Sequence, residues 1–388
     1  MPRLAWTSVT PLLAAVALAI AWPLHPDSAP LLGLLSVLLV AAVLAAVHHA
    51  EVVAHRVGEP YGSLVLAVAV TIIEVGLIVT LMVTTDKDTA GLARDTVFAA
   101  VMITLNGIVG LSLLVGALKH HLAVFNPEGT GAALATVIAL ATLCLVVPSV
   151  TTSQPGPEFT GAQLTFAAIA SLALYGMFVF TQAIRHRDFF LPVTQDAHSP
   201  LVMSAAATQA ASARAAARSL EHERVDLDAD GHADPPSDRA ALASLGLLVV
   251  SLVAVVGLAK IESPAIESGV SALGFPPAVV GVVIALLVLA PETIAAVRAA
   301  TRNRVQVSLN LALGSAMASI GLTIPAIAVA SIWLDGPLEL GLDQLQSVLL
   351  LLTAAVAILT VVPGRAKPLQ GGVHLVLLAA FLFLTIAP

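Results

Sequence analysis

The feature that most constrains this chain is a series of eleven apolar windows of about 20 residues, the length that crosses a bilayer core. They fall at approximately 5–24, 30–50, 61–84, 96–118, 132–150, 160–184, 241–260, 277–297, 305–333, 345–362 and 371–387. Within hydrocarbon each backbone N–H and C=O must find its partner inside the protein, so such windows fold as helices. Only 11% of the residues are charged, against about 25% in a soluble domain. The expected fold class is an all-α integral membrane protein of about eleven transmembrane helices. Nucleic acid is not an expected partner, because there is no basic patch with aromatic platforms. Cys144 is the sole cysteine, which excludes an intramolecular disulfide.

The polar segment 185–240 interrupts the series after the sixth window. This predicts an N-terminal transmembrane helix in 1–29, five helices in 30–184, a cytoplasmic Ala-rich and acidic linker in 185–240, and five helices in 241–388. Residues 5–24 contain Pro11 and Trp22 and lack a clear small-x-small cleavage site, so they read as a retained helix and not a signal peptide. Of the 17 Lys and Arg residues, only Lys87, Arg94 and Lys260 fall on the side opposite the N-terminus. Positive charge gathers on the cytoplasmic side of membrane proteins. The chain should therefore lie in the inner (plasma) membrane with its N-terminus in the cytoplasm and its C-terminus outside.

Two stretches echo one another. Gly58–Glu74 and Gly274–Glu292 each begin with Gly-x-Pro, run through apolar residues and end on one deep glutamate. Glu51 lies seven residues before Gly58, and Glu267 lies seven residues before Gly274. Arg94-Asp95 ahead of Leu105-Asn106-Gly107 answers Arg302-Asn303 ahead of Leu313-Gly314-Ser315. An odd number of spans per unit inserts the second copy upside down, so the two halves form inverted repeats, as in many secondary transporters.

Glu74 lies about 20 Å along its span at 1.5 Å per residue, and Glu292 lies at a comparable depth from the opposite face. A charge at the bilayer centre costs at least ~2.5–3.5 kcal/mol. No Lys or Arg lies inside any span except Lys260 at the very end of the seventh, and His374 is the only deep histidine. What neutralises these glutamates must come and go: a proton, or a metal cation. Desolvation favours a neutral carboxyl, whereas a bound divalent ion expels the protons. Two facing carboxylates balance one Ca²⁺ or two H⁺, so competition for one site supplies the coupling. The plainer alternative is a pair of carboxyls locked to neighbouring hydroxyls.

Several neighbours are candidate ligands. Thr71 sits one turn before Glu74, Thr293 follows Glu292, and Pro291 removes a backbone donor and frees a carbonyl in the preceding turn. Asn106 and Gly107, with Asn310, Gly314, Ser315 and Ser319, supply oxygens or loosen the helix; small residues also serve simply to pack membrane helices. Glu51 and Glu267, near opposite membrane faces, read as vestibule or gate residues, or as solvated interface carboxylates. His48, His49 and His55 beside Glu51 read as a pH sensor or as polar anchors. In the linker, Ser204–Glu223 has helix-forming composition. Asp226, Asp228, Asp230 and Asp234 copy the first half of a calcium loop, but Ser237 stands where a closing Glu belongs. Regulatory Ca²⁺ binding competes there with a solvated acidic segment.

At these residues the chain resembles the cation/calcium exchanger superfamily. Ala290-Pro291-Glu292 is similar to its second repeat, and Gly58-Glu59-Pro60 through Ala69-Val70-Thr71-Ile72-Ile73-Glu74 to its first. Arg94-Asp95-Thr96-Val97-Phe98 through Asn106-Gly107 and Ser308 through Ser315 look most like the bacterial calcium/proton (sodium-potassium/proton) antiporters. The resemblance covers roughly 30–388 and implies that Glu74 and Glu292 ligate the transported cation and exchange protons. It also implies helices that slide between inward- and outward-open states. The broader proton-coupled pattern has Gly-Asn before each glutamate and His after the second. Here Val70-Thr71, Val288-Leu289 and Thr293 stand instead, and a site with fewer amide oxygens suits monovalent ions as well.

The leading expectation is a secondary antiporter, not an enzyme, that exports Ca²⁺ in exchange for H⁺. A Na⁺(K⁺)/H⁺ antiporter on the same scaffold is the alternative. An intramembrane hydrolase would need an HExxH, a paired Asp or a Ser/Lys pair, none of which is present. A channel would need a continuous polar pore. No nucleotide-binding loop occurs, so no cofactor or nucleotide is expected beyond the transported ions and the lipid bilayer. Self-association as a homo-oligomer stays open.

Overall fold

The structure is a computed structural model that describes residues 6–24, 26, 28–58, 61–84, 89–191, 236–334 and 336–387. Among these residues eleven helices are long and apolar enough to cross a membrane. They are α1 (Trp6–Leu24), α2 (Ala29–Val57), α3 (Tyr61–Thr84), α4 (Leu92–His120), α5 (Pro127–Val150), α6 (Gly161–Arg185), α7 (Asp238–Ala272), α8 (Ala278–Thr301), α9 (Val305–Ala330), α10 (Gln344–Val361) and α11 (Pro368–Ile386). Each expected window forms a helix. The proposed linker helix and the acidic stretch with Asp226, Asp228, Asp230 and Asp234 lie outside the described residues.

Local chemistry sets where the helices begin and end. Asn126 Oδ1 accepts from the N–H groups of Glu128 and Gly129 at the start of α5, filling donors that a helix start leaves open. Thr160 with Gln163, and Asp343 with Gln346, form reciprocal capping boxes on α6 and α10. Helices α2 and α7 run beyond their apolar windows, carrying Glu51 and Glu267 on continuous helix. Hydropathy falls there, but helical hydrogen bonding does not. The chain leaves α2 at Gly58 (φ 75°) and turns after α7 at Gly274 (φ 70°), a backbone region that favours glycine.

The bundle has two ends. At one, Arg56 pairs with Asp238, and His120 Nε2 lies 3.1 Å from the Thr301 carbonyl oxygen. The short strands β1 (Ala123–Val124) and β2 (Arg365–Ala366) also pair antiparallel there, with Ala123 opposite Ala366 and Val124 opposite Arg365. This is the end that borders 185–240. At the far end the Glu339 N–H donates to the Ala90 carbonyl at 3.0 Å, and the Leu342 N–H to that of Leu145 at 2.7 Å.

Buried side chains form two clusters. The larger joins α4, α5 and α6 to α8, α9, α10 and α11. The smaller centres on α1, α2 and α7. Helices α3 and α8 contribute to both: Ile78 and Leu289 belong to the larger, whereas Ile73, Leu77, Ile284 and Val288 belong to the smaller. These two helices, which carry Glu74 and Glu292, therefore lie on a seam between two packed bodies.

Helix α8 meets α4 almost backbone to backbone at Gly281. A Cβ there would lie 2.8 Å from the Thr96 nitrogen and 2.9 Å from the Asp95 carbonyl carbon. Backbone atoms cannot yield as a side-chain tip would. Gly281→Ala should lower stability by about 1–3 kcal/mol, the usual cost of overpacking. Gly246→Ala, where nothing lies within 4 Å, should leave it unchanged or slightly raised. Thermal unfolding of both purified variants in one detergent checks this, and equal melting temperatures would refute the close-approach account.

Candidate functional site

Glu74 lies near the middle of α3 and is 2% exposed. Its Oε2 accepts hydrogen bonds from Ser319 Oγ and Thr323 Oγ1, each at 3.1 Å. Its Oε1 is buried with no partner. Both hydroxyls come from α9, at the point where that helix breaks. Regular α-helix ends at Gly321, resumes at Thr323, and leaves Leu322 between them at φ −110°. Pro325 explains the break, because it lacks the N–H that would bond the Gly321 carbonyl and its ring crowds that oxygen. The break sets Ser319 and Thr323 on one carboxylate oxygen.

Glu292 lies in α8 and is 6% exposed, and its Oε2 is buried with no partner. Its helix packs against α3, which carries Glu74, and against α2, which carries Glu51. Among the described residues the ion pairs of basic side chains are Arg56–Asp238, Arg94–Asp95 and Arg94–Glu339. No basic side chain is bonded to either deep glutamate. Two buried carboxylates thus lie on packed helices inside the bundle, with an unpartnered oxygen on each. That donor set suits a hard cation or protons, and neither a cofactor nor a nucleophile is implied by it.

The remaining predicted residues divide. Thr71 is buried one turn before Glu74, and Ser319 bonds it directly. Pro291 lies inside α8 without breaking it. The Thr293 hydroxyl turns back to its own helix, donating to the Leu289 carbonyl at 2.7 Å. Asn106 and Gly107 lie in a π-helical stretch of α4, Ile103–Ile108, where the expected loosening occurs. However, the Asn106 amide donates to Thr353 Oγ1 at 2.9 Å, and its Oδ1 lies 3.3 Å from His374 Nδ1. The His374 Nε2 lies 3.2 Å from Thr360 Oγ1. This network ties α4 to α10 and α11, and it takes up both the Asn106 amide and the deep histidine.

Asn310 is likewise engaged, donating to the Phe190 carbonyl at 2.6 Å and accepting from Gln306 at 2.8 Å. Gly314 and Ser315 lie on unbroken α9, so the loosening expected there is displaced to Leu322 by Pro325. Sequence reading missed Thr323, and also Thr104, whose hydroxyl is buried without a partner in the π-helical stretch. Pro325, four residues after Gly321, was the available signal for the break. Thr104 had none beyond its place beside Asn106.

Glu51 and Glu267 sit towards opposite ends of the bundle. Glu51 is exposed on α2, six residues before its linker end. Glu267 accepts from Ser263 Oγ at 3.3 Å and lines a cavity of about 390 Å³ at the far end. Arg94, Asp95 and Glu339 line the same cavity. Arg94 is held there by Asp95 at 2.8 Å and Glu339 at 3.4 Å. His49 is buried with Nε2 2.9 Å from the Thr7 carbonyl of α1, and His48 packs edge-on against it.

A family model described as sodium/calcium exchanger protein matches residues 28–184 and 243–387, leaving α1 outside the match. The chain is 43% identical over 385 residues to the putative ionic transporter y4hA of Sinorhizobium fredii, covering 99% of this chain and 96% of that one. It is 32% identical over 352 residues to the sodium-potassium/proton antiporter ChaA of Escherichia coli, covering 91% and 86%. Among solved structures it is similar to native YfkE, with a TM-score of 0.68 at 16% identity, covering 98% of this chain and 100% of that one. The chain belongs to the sodium/calcium exchanger protein family.

Proposed function

We propose that this protein is a secondary antiporter that exchanges a cytoplasmic cation for protons at Glu74 and Glu292. The observation that carries this reading is the pair of buried carboxylates, each with an oxygen lacking a partner and neither neutralised by a basic side chain. Two ionised carboxylates in such a place cost several kcal/mol each if left bare. Either two protons or one divalent cation removes that cost, and the two ligands exclude each other. Exchange follows without a separate proton path.

The seam supports alternating access. Glu74 and Glu292 lie on α3 and α8, which contribute to both the α1–α2–α7 body and the larger body. Sliding of one body against the other would open the pair first towards Glu51 and then towards the cavity at Glu267. With the linker end in the cytoplasm, as the distribution of Lys and Arg favours, Glu51 faces inwards and Glu267 outwards. Outward cation movement then runs on inward proton movement.

Ca²⁺ is the substrate that best matches two carboxylates and hard oxygen ligands. A second reading, Na⁺ or K⁺, draws support from two observations. The amides of Asn106 and Asn310 are committed elsewhere, which leaves a site of carboxylates and hydroxyls. The 32% identical relative is named for sodium-potassium/proton exchange.

In proteoliposomes with an imposed pH gradient, the wild type should dissipate the gradient on addition of Ca²⁺, or of Na⁺ or K⁺ under the second reading. Glu74→Gln and Glu292→Gln should each fall to the signal of empty vesicles. Normal exchange by both variants would overturn the reading. Ser319→Ala and Thr323→Val should each weaken cation affinity while exchange persists. A hydrogen bond to a charged group is worth about 1.5–3 kcal/mol, so each loss amounts to about tenfold or more. Unchanged half-saturation in both would mean that α9 does not shape the site.

A further inference from the structure

A third buried carboxyl lies apart from this pair. Glu262 of α7 is 1% exposed, between α7 and α2. Its Oε2 lies 2.7 Å from Ser36 Oγ, and its Oε1 is buried with no partner. Ser36 Oγ also lies 3.1 Å from the Leu32 carbonyl oxygen. A serine hydroxyl has one proton to give. If Ser36 gives it to Leu32, the 2.7 Å contact needs a proton from the Glu262 carboxyl. Only the protonated acid satisfies both contacts at once.

Among the described residues the surroundings offer no other means of neutralising it. Helix α1 carries no titratable side chain between Trp6 and Leu24. The titratable groups of α2 are His48, His49, Glu51, His55 and Arg56, all twelve or more positions beyond Ser36, or about 18 Å along the helix. Helix α3 offers Tyr61 and Glu74, and α8 offers Glu292 and Arg298. On α7 itself, Lys260 has its ammonium 4.9 Å from the Trp22 ring centroid. Glu267, beyond it, accepts from Ser263. An ionised carboxylate with one hydroxyl and no cation is far costlier to bury than the neutral acid.

We propose that Glu262 is a proton-binding site distinct from Glu74 and Glu292, and that its proton holds α2 and α7 together as one unit. Both helices belong to the smaller packed body, so the proton sets how firmly that body coheres. The sign follows from linkage: a proton bound only in the packed arrangement stabilises it at low pH. That support is lost as pH rises through the titration of Glu262.

Infrared difference spectroscopy in lipid tests this in the Glu74→Gln/Glu292→Gln background, so failure of the exchange mechanism cannot alter the result. At neutral pH the background protein should show a protonated-carboxyl C=O band that vanishes on adding Glu262→Gln. Ser36→Ala should shift the same band by removing its partner, which carries the test if Glu262→Gln does not fold. In the otherwise wild-type chain, Glu262→Gln mimics the neutral acid. Wild-type transport should fall as pH rises through the titration of Glu262, and Glu262→Gln should keep transport and flatten that alkaline decline. If adding Glu262→Gln removes a carboxylate band instead, or Ser36→Ala leaves the C=O band in place, the proton site is refuted. An unchanged alkaline limb in Glu262→Gln refutes its role as a latch.

Discussion

The structure turns on one electrostatic constraint: two buried carboxylates have no fixed counter-charge among the described residues. Burying an ion costs several kcal/mol even after relaxation, and a protein normally meets that cost with a basic partner. Here Ser319 and Thr323 satisfy one oxygen of Glu74, and among the described residues nothing satisfies the other or Glu292 Oε2. A basic side chain in this place would neutralise the pair permanently and end any exchange. The proposed exchange of mobile charge rests on its being left unneutralised.

The helices around the pair are shaped by that dependence. The two most enclosed helices, α4 and α9, are both irregular within their spans. A π-helical stretch or a proline-driven break frees backbone groups that a regular helix would consume. Such irregular backbone is tolerated at membrane depth only where protein or a cavity surrounds it. In α9 the break aims two hydroxyls at Glu74. In α4 the widened turn is pinned by the Asn106–His374–Thr360 and Asn106–Thr353 contacts. Rigid support on one side and an unsatisfied pair on the other suit the proposed exchange site, which would hold its geometry while its ligands change.

Much of this was legible in the sequence, for physical reasons. The eleven spans follow from hydropathy because a bilayer enforces internal hydrogen bonding. Glu74 and Glu292 stand out because a carboxylate at that depth needs an explanation. Ser319 was in reach as a polar residue on α9. What escaped was orientation. A side-chain amide is an ion ligand or a structural tie depending on which way it faces, and Asn106 and Asn310 face Thr353 and Phe190. Thr323 becomes relevant only once Pro325 breaks α9. Glu262 sits outside the duplicated pattern, since Ala46 occupies its place in the first repeat, and its burial depends on the contact with α2.

The most direct test of the central claim is the number of protons that leave the purified protein when a cation binds, read with a pH dye in weakly buffered detergent solution. Metal binding to protonated ligands must release their protons. Competition at a protonated pair predicts that saturating Ca²⁺ releases about two protons per site, whereas a monovalent substrate in its place releases about one for each ion bound. Cation binding that releases no proton would contradict the account, because the two ligands would then not share Glu74 and Glu292.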